Sequence, residues 1–321
     1  MRIAIVGAGT IGVGWAVVFA RAGVSVAAHD PDPERLRAAA PELERRLGSL
    51  AAGGLLDEEP GAVAARVRFA GTLAEALEGA THVQECAPES LELKRSLFAE
   101  LDGLAPADAV LATSSSALTA GEIAAHLPGR ARCLVAHPGN PPYLLPVVEL
   151  VPAPFTDADV VERTRALFEG VGMSPVVVRR ELEGFVFNRL QGALLREAYC
   201  LVRDGVASVE DVDRVVRDGL GRRWAVLGPF ETAELNTRGG IEAHAEKLGP
   251  AYARMGAERG QHDPWTPELV ERVAAELRER NPPGHWDERV AGRDEALIAL
   301  ERARRGSGLF VPRRSADGAT A

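Results

Sequence analysis

Cysteine is scarce. The 321 residues hold three, Cys86, Cys133 and Cys200, far apart in the chain. There is no CxxC pair and no Cys/His cluster with zinc spacing, so neither a disulfide framework nor a metal site is expected. Free thiols fit a reducing cytosol, and a cytoplasmic protein is the expectation. Positive charge is also short: 37 Lys and Arg face 46 Asp and Glu, for a net charge of −9. A nucleic-acid partner would need a basic face, which argues against that class. The densest basic patch, Arg302, Arg304, Arg305, Arg313 and Arg314, reads as a solvated last helix and tail. Apolar residues, at 46%, are plentiful enough for a real core.

One stretch lacks charge altogether. Ile3 to Ala20 is 18 residues without a charged side chain, and Ala20-Arg21-Ala22 mimics a signal-peptidase site. Gly7, Gly9, Gly12 and Gly14 interrupt it, which is poor for the apolar helix of a leader. They have their own explanation, so no membrane segment is expected. Ile3–Val6 is a continuous apolar run, as in a strand buried on both faces. Gly7, Gly9 and Gly12 then give G-x-G-x-x-G. These glycines permit a tight turn, backbone approach to a pyrophosphate and close packing of helix on strand. Thr10 and Ile11 belong to the same loop and open the helix, whose N-terminus favours phosphate. The next strand, Val24–His29, ends in Asp30, placed to bond the ribose hydroxyls of NAD and to repel the 2′-phosphate of NADP. Arg35 and Arg37 are weaker candidates for reading such a phosphate.

Short apolar runs then alternate with helical stretches: Val67–Ala70, His82–Cys86, Ala109–Thr113 and Cys133–His137. This implies an α/β, Rossmann-type, doubly wound and mostly parallel sheet. Ligands bind beyond the C-terminal ends of such strands, where Glu85, Glu89, Ser114–Ser116 and His137 fall. Strand-like runs stop after Arg180. Val186, Leu190, Leu194, Ala198 and Leu201 recur at helical spacing, and further helices follow, with a break at 281–285. We expect an NAD-binding domain over 1–185 and an all-helical domain over 186–321.

The segment HPGNPPYLLPVVELV, residues 137–151, combines a histidine, three nearby prolines and one acid, Glu149, in an apolar run. The prolines predict an extended path after His137. A carboxylate in such a run is costly unless paired, and an imidazole is a suitable partner. Bound to one ring nitrogen, Glu149 would set the tautomer and raise the basicity of the other. The spacing equally allows a solvent-facing strand glutamate beside an ordinary loop histidine. A Ser-His-Glu hydrolase is disfavoured, because no G-x-S-x-G elbow surrounds Ser116 and the glycine loop would then be idle.

The stretches ATSSSAL, HPGNPPYLLPVVELV, GFVFNRLQ and GPFE resemble the 3-hydroxyacyl-CoA dehydrogenase superfamily. VQECAPESLELKR, GFVFNRLQGALLREAYCLV and GLGRRWAVLGPFETAELN resemble its lambda-crystallin/L-gulonate 3-dehydrogenase branch, over essentially the whole chain. The resemblance implies that His137 is the general base and Glu149 its orienting partner. It implies that Ser116 bonds the substrate oxygen, that Asn188 holds the substrate, and that Glu89 and Lys94 line the nicotinamide half of the cleft. The family's serine follows an Asn-Thr pair; here it follows Ser114 and Ser115, which leaves open which hydroxyl faces the substrate.

In the second half, the resemblance places Arg223, beside Trp224, where the lambda-crystallin branch carries an arginine that the acyl-CoA enzymes lack. A guanidinium suits a free carboxylate. The implied activity is NAD-dependent oxidation of a short free 3-hydroxy acid, with L-gulonate first, by a homodimer paired through the helical domain. Alternatives are a 3-hydroxyacyl-CoA, carnitine, 3-hydroxybutyrate, an aromatic 3-keto acid, or a non-catalytic NADH-binding role as a crystallin. Carnitine would need an anionic or aromatic cage, and the chain has only three Tyr and four Trp. Asn236 and Arg238 are further candidates for the same pocket.

Overall fold

Ile3, Ala4, Ile5 and Val6 are all buried, because β1 (Arg2–Val6) carries helices on both faces. In the computed structural model, which describes residues 1–259, 266–280 and 285–307, β1 sits inside an eight-stranded sheet. The other strands are β2 (Ser25–His29), β3 (Val67–Phe69), β4 (His82–Glu85), β5 (Val110–Thr113), β6 (Cys133–Pro138), β7 (Val147–Pro152) and β8 (Ser174–Val177). Their order is β3-β2-β1-β4-β5-β6-β7-β8, and every neighbouring pair is parallel except β6 with β7. The winding reverses between β1 and β4, so a crevice opens beyond their C-terminal ends.

The charge-free run divides at its glycines into β1 and α1 (Thr10–Arg21). Among the described residues no helix is long and apolar enough to cross a membrane. The sheet is covered by α1, α2 (Pro33–Ala52), α3 (Pro60–Ala64), α4 (Leu73–Leu77), α5 (Leu91–Leu104), α6 (Ala120–Ala124) and α7 (Ala158–Gly170). Short polar side chains start several of them. Asp32 accepts from Glu34 N ahead of α2, Ser90 accepts from Leu93 N ahead of α5, and Thr72 and Thr119 form capping boxes with Glu75 and Glu122. Trp15, Phe19, Leu43, Leu47 and Phe168 fill the core on one face of the sheet; Val83, Phe98, Leu101, Leu111 and Ile123 fill it on the other.

The chain forms two compact units. The second, Leu190–Ala291, is helical. It holds most of α8 (Phe187–Arg203), then α9 (Val209–Val215), a π-helical turn at Val216–Leu220, α10 (Gly221–Trp224), α11 (Pro229–Asn236), α12 (Gly240–Glu258) and α13 (Pro267–Arg280). Val202, Val209 and Leu269 are buried together, and Arg259 pairs with Glu197 and Asp204. One change to the expected division is needed. Within α14 (Trp286–Ser307), Gly292–Ser307 belongs to the first unit, not to the helical one. Ile298 is buried in the sheet domain's core against Gly53, whose missing side chain leaves its seat, and Asp294 accepts the Tyr143 hydroxyl at 2.9 Å. Helical spacing alone carries no information about which domain a helix packs on. Residues 281–284 of the expected break, and the tail with Arg313 and Arg314, lie outside the described residues.

Candidate active site

The glycine loop is built as its spacing requires. Gly7 has φ +106° and its α-carbon lies against the Cys86 backbone; a Cβ there would come within 2.8 Å of the Cys86 carbonyl. A Cβ on Gly12 would lie 1.8 Å from the Gly7 oxygen, so the helix reaches the strand only because Gly12 has no side chain. A Cβ on Gly9 would meet nothing within 4 Å; this face is the one open to a phosphate. Thr10 and Ile11 begin α1, and the Thr10 carbonyl accepts from Arg46. Asp30 is buried at the end of β2. One of its oxygens accepts from Ala8 N at 2.8 Å, the other from Asp32 N at 2.9 Å. Each keeps a lone pair for a ribose hydroxyl. Arg35 and Arg37 pair with Asp32 and Glu34. These residues fit an NAD adenosine half.

His137 and Glu149 face one another directly across the antiparallel β6–β7 pair. The imidazole Nδ1–H donates to Glu149 Oε2 at 2.9 Å, and both side chains are buried. Oε1 of the same carboxylate accepts from Val186 N at 2.7 Å and Phe187 N at 3.0 Å, where α8 begins. Burial pushes the Glu149 carboxyl up, but the His137 hydrogen bond and these two N–H groups outweigh it, and it lies below its ordinary value. An anionic acceptor fixes the tautomer: in the neutral ring the proton sits on Nδ1 and the lone pair on Nε2. The Phe185 and Phe187 rings lie 5.5 and 6.2 Å from the imidazole and exclude water on those sides. The expected extended path after His137 is found only through Pro138; Pro141 opens a turn, its carbonyl accepting from Leu144 N and Leu145 N. The reason is that β7 must double back beside β6.

The three serines separate by environment. The Ser114 hydroxyl is held inside the sheet domain by Trp15 and Gln84. The Ser115 hydroxyl is buried and donates to Glu89 at 2.5 Å. Ser116 is exposed, and its hydroxyl has no protein partner among the described residues. Asn188 Nδ2 donates to the Ser116 carbonyl at 2.9 Å. A hydrogen-bonded path therefore runs from His137 through Glu149 to the start of α8, and from Asn188 on that helix to Ser116.

Glu89 and Lys94 are both bonded within the protein. Glu89 Oε1 accepts from the backbone N–H of Ser116, Ala117 and Leu118, so it clamps the serine loop. Burial pushes its carboxyl up, but Ser115, Lys94 and the backbone donors outweigh this and hold it below the usual range. Lys94 is 1% exposed. Its ammonium lies between both oxygens of Glu85, each at 2.9 Å, and the Ala87 carbonyl, with Glu89 at 3.7 Å. Thr113 also donates to Glu85. A buried carboxylate needs these partners, and the ammonium is spent on it.

In the second unit, Arg222 lies 3.7 Å from Asp218, whereas the adjacent Arg223 is exposed and has no ion-pair partner among the described residues. Trp224 is 41% exposed. Asn236 ends α11, and Arg238 follows it. Among the described residues no group of three or more His, Cys, Asp or Glu could hold a metal.

Residues 2–182 match the family model for the 3-hydroxyacyl-CoA dehydrogenase, NAD binding domain, and residues 184–281 match its C-terminal domain. The chain is 42% identical over 302 residues to a lambda-crystallin homolog of Bos taurus, covering 93% of this chain and 94% of that one. It is 38% identical over 311 residues to an L-carnitine dehydrogenase of Nocardiopsis dassonvillei, covering 94% and 88%. A solved structure of 5-formyl-3-hydroxy-2-methylpyridine 4-carboxylic acid (FHMPC) 5-dehydrogenase, an NAD+-dependent dismutase, superimposes with a TM-score of 0.83 at 30% identity, covering 95% of this chain and 98% of that one. With the glycine loop, Asp30 and these matches along nearly its full length, the chain belongs to the 3-hydroxyacyl-CoA dehydrogenase family of NAD-dependent oxidoreductases, alongside the lambda-crystallins.

Proposed function

We propose that this chain oxidises the 3-hydroxyl of a short free 3-hydroxy acid and, in reverse, reduces the 3-keto acid; L-gulonate, giving 3-dehydro-L-gulonate, is the first candidate. The observation that carries the chemistry is the buried His137–Glu149 pair. NAD, when bound, supplies the hydride acceptor. With Nδ1–H held by Glu149, the Nε2 lone pair takes the hydroxyl proton, and the carboxylate stabilises the imidazolium that forms. The free Ser116 hydroxyl and the second N–H of the Asn188 amide are the donors available to the substrate oxygen. Base catalysis of this kind supplies about 10²–10⁴-fold.

The preference for a free acid rests on Arg223. It is an exposed guanidinium without a partner among the described residues, next to an arginine that has one. Two relatives' names carry free carboxylic acids, L-carnitine and FHMPC. Another relative is named 3-hydroxyacyl-CoA dehydrogenase, which keeps the thioester as the alternative. For carnitine, Trp224 offers one aromatic wall to a quaternary ammonium. We also propose that the helical unit pairs two copies, supported by exposed Val206, Val215, Phe230 and Leu235.

The test is NADH formation in alkaline buffer with L-gulonate, L-carnitine, 3-hydroxybutyrate and 3-hydroxybutyryl-CoA side by side. Turnover of a free acid with the thioester inert is expected. Turnover of the thioester alone overturns the role of Arg223. NADH binding with no turnover of any of the four supports a bulk structural role instead.

A further inference from the structure

Three polar residues stand where the sequence pattern asks for apolar ones, and they form one connected set. His82, Gln84 and Cys86 point to the same face of β4 and its C-terminal end, towards α1 and α7. Gln84 is fully buried. Its Oε1 lies 3.0 Å from His82 Nε2, and its Nε2 lies 2.7 Å from Ser114 Oγ and 3.3 Å from the Ala136 carbonyl. The amide cannot be turned over, because Ala136 O can only accept; its NH2 must therefore face β5 and β6. Gln84 Oε1 then accepts, and His82 must carry its proton on Nε2. Burial holds His82 neutral, its pKa lowered to about 4, and its Nδ1 has no partner among the described residues.

Ser114 is the other hub. Its oxygen accepts from Trp15 Nε1 on α1, at 3.1 Å, and from Gln84. With both lone pairs used, its own hydrogen points to Cys86 Sγ, 3.3 Å away. Every rotor in the set has one orientation. The set also touches each part of the site. Trp15 lies on the helix opened by the glycine loop, Ser114 precedes Ser116 by two residues, and Ala136 immediately precedes His137.

We propose that Gln84, locked by His82, is a positioning residue that fixes the serine loop and the His137 strand relative to the dinucleotide helix. Gln84 touches neither substrate nor cofactor. It acts through Ser114 and Ala136, in the way a cross-brace sets the spacing of three rails. The inference rests on His137 being the base, so it needs one readout that does not.

The test compares Gln84→Leu and Gln84→Glu with the unaltered chain. Leucine keeps the volume and removes both N–H bonds; glutamate still accepts from His82 but, even when protonated, can replace only one of the two N–H donors. Both variants are expected to lower kcat at least about tenfold, because a displacement well under an ångström at the reacting atoms is costly. KM and NADH affinity are expected to stay within about twofold. Equal kcat in a folded variant overturns the proposal and leaves Gln84 as core filler. If neither variant folds, Ser114→Ala is measured in the same way, with the same two outcomes. Independently of turnover, ¹⁵N–¹H spectra of the histidine side chains are recorded. The His137 Nδ1–H signal is expected to shift in Gln84→Leu; an unmoved signal also overturns the proposal, even if the substrate assigned above is wrong.

Discussion

Replacing Glu149 by glutamine keeps the shape of the site and removes one acceptor, which makes its effect calculable. The carboxylate now serves three donors, His137 Nδ1–H on one oxygen and the N–H groups of Val186 and Phe187 on the other. A glutamine has one accepting oxygen and can face either side. With its oxygen towards His137, its NH2 meets two backbone donors, and two part-buried N–H groups go unpaired, at about 1 kcal/mol or more each. With its oxygen towards Val186 and Phe187, both backbone donors are satisfied and the amide N–H can donate to His137 Nδ1, provided the imidazole proton moves from Nδ1 to Nε2. The second arrangement is cheaper by about 2 kcal/mol on that count, so it prevails. The variant should therefore fold, keep the start of α8 in place and bind NADH, with the proposed base, His137, blocked. Loss of that base lowers kcat by about 10²–10⁴-fold. The assay is kcat with NADH binding as the control, and ¹⁵N spectra to locate the ring proton. A kcat within about twofold of the unaltered chain, or a lost kcat with the proton still on Nδ1, would refute the reasoning. The same substitution changes the acid limb of stability. The Glu149 carboxyl lies below its ordinary value in the fold, so its contribution is present above the ordinary carboxylate range and is lost as pH falls through the lowered value. That component is absent from the glutamine variant, whose melting temperature should vary less at low pH.

Other substitutions probe separate parts of the site. His137→Ala should retain NADH binding and nearly abolish turnover; normal turnover would remove His137 from the mechanism. Gly12→Ala puts a Cβ 1.8 Å from the Gly7 oxygen, and should cost about 1–3 kcal/mol or more in stability, read as a drop in melting temperature. Gly9→Ala meets nothing within 4 Å, so it should melt normally and lose NADH affinity only. Arg223→Ala should melt normally, since the side chain is exposed, and lower kcat/KM for a free acid by about 10–100-fold, the worth of a charged hydrogen bond; an unchanged kcat/KM would favour the thioester.

The fold was largely legible from local pattern. A charge-free strand, three glycines and a strand-end acid are short-range signals, and their chemistry fixes a dinucleotide crevice wherever they occur together. The alternation of apolar runs with helical stretches similarly dictates a parallel sheet, because each unit must bury its own faces. Local pattern could not decide between a paired and a solvent-facing Glu149. That depends on register: one residue of slip between β6 and β7 would turn Glu149 to the opposite face from His137. Nor could it choose among Ser114, Ser115 and Ser116, which are chemically identical and differ only in what surrounds them, a tryptophan and a glutamine, a glutamate, and solvent. Gln84 carried a faint signal, a polar residue in an apolar strand, but its partners lie 30 and 52 residues away. The partner of Lys94 was likewise hidden, because nothing local says that its ammonium meets the buried Glu85. The sequence by itself determined the sheet and the cofactor, since these follow from periodicity and backbone sterics. Tertiary structure alone decided which side chains are spent on one another and which remain free, because that depends on groups far apart in the chain.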